Sequence, residues 1–174
     1  RRGYRTYNVA APLSETLGAA IVLLSRYKPD IPLIDAMCGS GTMPIEAAMI
    51  AQNIAPGLLR SFAAESWWFL DKGIWQRERE QAAGARNNQK ILVRGYDIDK
   101  RSIDLCKKHA KKAGVFCEWQ VRDIKDFSAP EASGIIVANP PYGERMLEKE
   151  QVLALYRQMR RVFSAYPGWS VNVF

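Results

Sequence analysis

Short apolar runs alternate with helical periods along this 174-residue chain, and that alternation restricts the fold more than any other feature. "IPLIDAMCGSGT" (31–42), "ILVRGYDID" (91–99), "VFCEWQVRD" (115–123) and "GIIVANPPY" (134–142) each open as a strand, and "WSVNVF" (169–174) begins a fifth. Between them lie helical segments: "PLSETLGAAIVLLSRY" (12–27), "MPIEAAMIAQN" (43–53), "KRSIDLCKKHAKKAG" (100–114) and "QVLALYRQMRRVF" (151–163). Apolar positions recur in them at intervals of three and four, as in Ile103, Cys106, Ala110 and Ala113, or Val152, Leu155, Tyr156, Met159 and Phe163. Asp99 and Gly114 bound the third of these as cap and stop. Strand–helix alternation predicts an α/β fold, a mostly parallel sheet with helices on both faces.

Ligands of such sheets sit beyond the carboxyl ends of the strands, where the strand order reverses. Three strand ends here are polar: "DAMCGSGT", "YDID" and "NPPY". In the first, Gly39 and Gly41 let the backbone approach a ligand, and the helix that follows offers free N–H groups. The pattern is neither G-x-G-x-x-G nor a phosphate loop, since Pro44 stands at its third position and Thr42 where a lysine would follow. By itself it is equally a simple tight turn. Asp97 can accept hydrogen bonds from both hydroxyls of a ribose, leaving Asp99 to cap the next helix. Asp123 can face an adenine amino group or serve as a surface turn. Ribose without phosphate points to S-adenosylmethionine, with Asp35 attracting its ammonium and N–H groups from Gly39 to Gly41 meeting its carboxylate. Around these, Cys38, Ser40, Thr42, Ile98, Ile124 and Asn139 complete the expected cofactor set.

The fourth strand runs into Asn139-Pro140-Pro141-Tyr142. Prolines lack a donor, fix φ and extend the residue before them, so this turn is stiff. It presents the Asn139 amide oxygen and the Pro140 carbonyl as acceptors for an exocyclic amine, with Tyr142 stacked on the ring that carries it. Asn139, Pro140 and Tyr142 are the candidate catalytic residues.

Hydrophobic residues make up 48% and charged residues 25%, the balance of a globular domain. The net charge of +7 gathers in "RRGYR", "KKHAKK" and "RQMRR", which fit a polyanionic partner or merely solvated helix faces. Three cysteines without metal spacing read as reduced thiols in the cytoplasm, with no metal, no disulfide and no membrane span. Residues 56–90 break the rhythm and hold Trp67, Trp68 and Trp75, expected to pack across the sheet rather than to meet RNA.

"RRGYR…AAPLSETLGAAI", "CGSGTMPIEAAMIA", "SFAAESWWFLDKGIW" and "GYDIDKRSIDLCKKHAKKAGV", together with "NPPY", resemble class I S-adenosylmethionine-dependent RNA guanine-N2 methyltransferases that carry an upstream THUMP domain, the bacterial large-subunit rRNA type. The resemblance implies a Rossmann-like catalytic domain over 1–174, truncated after about the fifth strand, with 1–11 a linker and 56–90 an insert. It implies methyl transfer to guanine N2 in ribosomal RNA, protein-free or pre-ribosomal, in the cytoplasm. Ala36 stands where the family has proline, and His109 where it often has asparagine. DNA adenine or protein glutamine methylation, and an RNA-binding module with an inactive cofactor site, remain open.

Overall fold

The computed structural model describes residues 2–5, 13–141 and 149–174. Five parallel strands form one sheet: β1 (Leu33–Asp35), β2 (Val93–Asp97), β3 (Glu118–Val121), β4 (Gly134–Ala138) and β5 (Trp169–Val173). Their order is β3-β2-β1-β4-β5. The chain builds outward from β1 to β3 and returns to place β4 on the other side of β1. The order therefore reverses at β1/β4, which puts the ligand crevice beyond the carboxyl ends of those two strands.

Alternation along the strands divides the core. Leu33, Val93, Ile135 and Val137 face one way and pack with Ile21, Val22, Ile45 and Ala110 from helices α1 (Glu15–Leu24), α2 (Thr42–Ala51) and α4 (Lys100–Ala113). Ile34, Tyr96, Ile136 and Ala138 face the other way, under Met159 and Phe163 of helix α5 (Lys149–Phe163) and under Phe127. The expected stripe on α4 is buried, Asp99 caps it through the Arg101 N–H, and Gly114 ends it in the left-handed region. On α5, Tyr156 departs from expectation: it is 39% exposed, because Met159 and Phe163 already cover the sheet.

Between α2 and β2 lies helix α3 (Gly73–Gly84), which buries no residue. The expectation that the nearby tryptophans pack across the sheet is not met. Trp67 is 52% exposed and Trp68 93%, while Trp75 stacks on Phe62 at 5.4 Å. The sheet's faces are already covered by α1, α2, α4 and α5, which leaves these tryptophans no sheet surface to pack against.

Residues 2–5 are docked on the domain. Tyr4 is buried and its hydroxyl donates to Glu46 Oε1 at 2.8 Å; Arg2 lies 3.1 Å from Glu46 Oε2. Arg5 donates to the Thr42 hydroxyl at 2.8 Å and to the Leu13 carbonyl at 2.6 Å.

Candidate active site

Strand register brings the polar ends together. Asp35 pairs with Gly95 on one side and Val137 on the other. Asp97 and Asn139 each lie two residues further on, so they flank the turn after β1, separated by two strand spacings or roughly 10 Å. Asp123 lies two residues past Val121, the partner of Asp97.

The turn after β1 is held from both sides. The Ala36 N–H donates to Val137 O at 3.0 Å and the Cys38 N–H to Tyr96 O at 2.8 Å. Gly39 and Gly41 have φ of 52° and 83°, a region glycine enters at little cost. The Gly39 N–H donates to Asp97 Oδ2 at 2.8 Å, and the Gly41 N–H to Cys38 O at 2.8 Å. These two donors are therefore engaged within the protein. The donors left for an anion are the Ser40 N–H and those of Thr42 and Met43 in the first turn of α2, which have no intrahelical partner. Around Gly39 the space is open, with nothing within 4 Å of an added Cβ, whereas a Cβ on Gly41 would come within 2.9 Å of Cys106 Sγ and Trp119 Cη2.

Asp97 is half-buried, and each oxygen already accepts one backbone N–H, from Gly39 and from Asp99 at 2.9 Å. A carboxylate oxygen accepts two bonds, so both oxygens keep a lone pair for a diol. Asp35 is fully buried. Oδ1 accepts the Met37 N–H at 3.2 Å, and Oδ2 has no partner among the described residues. Burial, reinforced by the Asp97 charge, pushes its carboxyl up to about 8 against the lowering effect of the Met37 N–H. A buried carboxylate lacking a partner is stabilised by an arriving cation.

Other expected cofactor residues are turned elsewhere. The Cys38 thiol is buried 3.8 Å from Cys106 Sγ, and burial holds it well above the usual thiol range. The Thr42 hydroxyl accepts from Arg5. The Ile124 side chain packs in the core beside Ile34 and Phe127, which leaves only its backbone to meet a ligand. Asp123 Oδ1 caps its own turn through the Lys125 N–H at 3.0 Å, while Ile98 stands 69% exposed at the crevice edge. Asn139 is half-buried with no side-chain partner among the described residues, and Pro140 is buried. Tyr142 lies outside the described residues.

Two supports escaped the sequence reading. His109, fully buried, contacts the Ser40 carbonyl through Nδ1 at 3.1 Å, so Nδ1 carries the proton. Burial lowers its pKa and keeps the ring neutral. The Cys106 thiol donates to the Gly39 carbonyl at 3.1 Å. Both lie on the buried stripe of α4, where a histidine and a cysteine read from sequence as packing alone.

Residues 2–174 match the family described as RMKL-like, methyltransferase domain. The chain is 41% identical over 183 aligned residues to the Ribosomal RNA large subunit methyltransferase K/L of Psychromonas ingrahamii, covering 99% of this chain and 24% of that protein. Two solved structures superpose with a TM-score of 0.92, each covering 99% of this chain and 46% of its own. One, 44% identical, is from Listeria monocytogenes str. 4b F2365 and is named as a predicted N6-adenine-specific DNA methylase. The other, SMU.472, is 38% identical, a candidate methyltransferase solved in complex with SAH. The chain spans less than half the length of the curated relatives it matches.

Proposed function

The chain belongs to the family of RMKL-like methyltransferase domains, whose cofactor is S-adenosylmethionine, and from that premise we propose that it is the catalytic part of an RNA methyltransferase acting on the exocyclic N2 amine of a guanine in large-subunit ribosomal RNA. The observation that carries this reading is the placement of Asn139, unpartnered among the described residues, two residues past the β4 partner of Asp35. An amide acceptor on a proline-stiffened turn beside the cofactor crevice suits an amine nucleophile.

The residues present fit the cofactor. Asp97 has lone pairs for the ribose diol, Asp35 Oδ2 awaits a cation, and Ser40 with the first turn of α2 offers donors to a carboxylate. Bound there, the cofactor supplies an electrophilic methyl group. The Asn139 amide oxygen and Pro140 carbonyl each accept one N–H of the amine, which fixes it and leaves its lone pair directed at the crevice. Tyr142 is the ring of the motif and stacks on the base. No general base is needed, because an amine can release its proton after alkylation. Ribosomal RNA as substrate is supported by the name of the Psychromonas relative and by the chain's net charge of +7.

A second reading, adenine N6 in DNA, is the one the Listeria relative's name carries, and the same clamp would hold that amine. The deciding experiment incubates the full-length protein with labelled cofactor and either protein-free large-subunit RNA or DNA, then identifies the methylated nucleoside by mass spectrometry. N2-methylguanosine from RNA is expected; N6-methyladenine from DNA would replace the assignment.

A further inference from the structure

We propose that the insert between α2 and β2 is a docking platform for unpaired RNA, with Trp67, Trp68 and Phe69 as its stacking surface. The proposal rests on the reading of the substrate as RNA and adds a place where that RNA is held outside the reacting crevice. Three consecutive aromatic residues are exposed: Trp67 52%, Trp68 93% and Phe69 61%. Single exposed apolar side chains are ordinary, but a contiguous group of this size marks an interaction surface. The rings are organised among themselves. Trp67 and Phe69 stack with centroids 5.5 Å apart at 28°, and Trp68 meets Phe69 edge-on at 5.8 Å and 86°. That leaves the Trp68 indole almost wholly in solvent and open to a base.

Local charge favours a polyanion over a protein. The two carboxylates nearest in sequence are neutralised, Glu65 by Arg79 at 2.5 Å and Asp71 by Arg77 at 2.8 Å. Arg60 and Lys72, which bracket the aromatics in sequence, have no ion-pair partner among the described residues; Arg60 lies flat, 4.3 Å over the Phe62 ring. Rings that accept any base, flanked by uncompensated cations, are the elements of single-strand binding. The insert is also tied to the flank of the cofactor helix. Leu59 O lies so near Gly3 that a Cβ there would sit 2.7 Å from it, and the adjacent Tyr4 is bonded to Glu46 of α2.

The test measures the affinity of the full-length protein for a fluorescently labelled single-stranded oligoribonucleotide by anisotropy across a salt series, with SAH affinity as the control for folding. Trp68→Ala and the Trp67→Ala/Trp68→Ala pair are expected to weaken RNA binding roughly 10-fold or more, the scale of one stacked base, at an unchanged salt slope. Lys72→Glu should instead flatten the slope by about 0.7, the share of one phosphate contact. SAH affinity should not change in any of them. Unchanged RNA affinity in the tryptophan variants with SAH binding intact overturns the proposal, and a change of oligomeric state in the same variants assigns the patch to protein contact. If product analysis finds adenine N6 while the tryptophan variants still lose RNA, the guanine assignment fails and this one stands.

Discussion

In the proposed reaction Asn139 and Asp35 act on opposite sides, and their variants should separate. As the proposed acceptor that fixes the amine, Asn139 predicts that Asn139→Ala slows single-turnover methyl transfer by roughly 10²–10³, the usual loss for one pre-organised polar group. SAH affinity should change by less than a few-fold; a large loss would move Asn139 from the substrate to the cofactor. Asp35 is protonated more readily than an ordinary carboxyl because it is buried. Meeting a cation requires it to ionise, so SAH affinity should rise between pH 6 and about 8, with a proton released on binding. Calorimetry in buffers of different ionisation enthalpy measures that proton. In Asp35→Asn both the pH dependence and the release should vanish; their persistence would show that another group receives the ammonium.

At the scale of elements, the glycine turn between β1 and α2 divides its work between two glycines of the same handedness. Alanine at either strains a backbone with positive φ, by about 1–2 kcal/mol. Gly39 faces open space, so Gly39→Ala should cost stability little beyond that strain while its methyl narrows the crevice and weakens SAH binding. Gly41 backs onto Cys106 and Trp119, so Gly41→Ala should add a packing clash and lower stability by about 2–4 kcal/mol in all. Urea unfolding beside SAH titration distinguishes them, and equal losses on both readouts would contradict the division. The turn is held from below by α4 through His109 and Cys106, which makes that helix the support of the glycine turn.

For the whole molecule, two fully buried carboxyls set an unusual stability profile. Burial pushes Asp35 up to about 8 and Glu46 to about 7, in the second case against the Tyr4 hydroxyl and Arg2. Between about pH 4 and those values the folded state keeps protons that the unfolded chain has released, so stability falls as pH rises and levels above about 8. The carboxyls held below their usual range, Glu65 by Arg79, Asp71 by the Gly73 N–H and Arg77, and Asp104 by Lys100, oppose this only at the acid end, while buried His109, lowered by its burial, opposes it in part up to about pH 6.5. Thermal unfolding at constant ionic strength should give a higher Tm at pH 5 than at pH 8, with part of the difference lost in Asp35→Asn. A Tm that rises over that interval would show that Asp35 and Glu46 are ionised in the fold.

Periodicity and capping chemistry along the chain are enough to specify the parallel sheet, its five strands, the caps of α4 and the three polar strand ends. Each follows from periodicity, turn chemistry or local hydrogen bonding within a few residues, and local signals survive in a linear string. The convergence of Asp35, Gly39, Asp97 and Asn139 was legible too, because parallel strands of an open sheet place their carboxyl ends on one edge. Which donors of the glycine turn are free is settled in three dimensions by the folded chain, since the Gly39 N–H is taken by an aspartate 58 residues away. It alone turned Cys38 and Thr42 inward and Ile124 into the core, and revealed His109 beneath Ser40. It also leaves Trp67 and Trp68 in solvent, where the burial energy of tryptophan predicts packing. Those outcomes depend on which faces other elements have already covered, and on hydrogen bonds between residues distant in sequence, and neither is written in the spacing of residues along the chain.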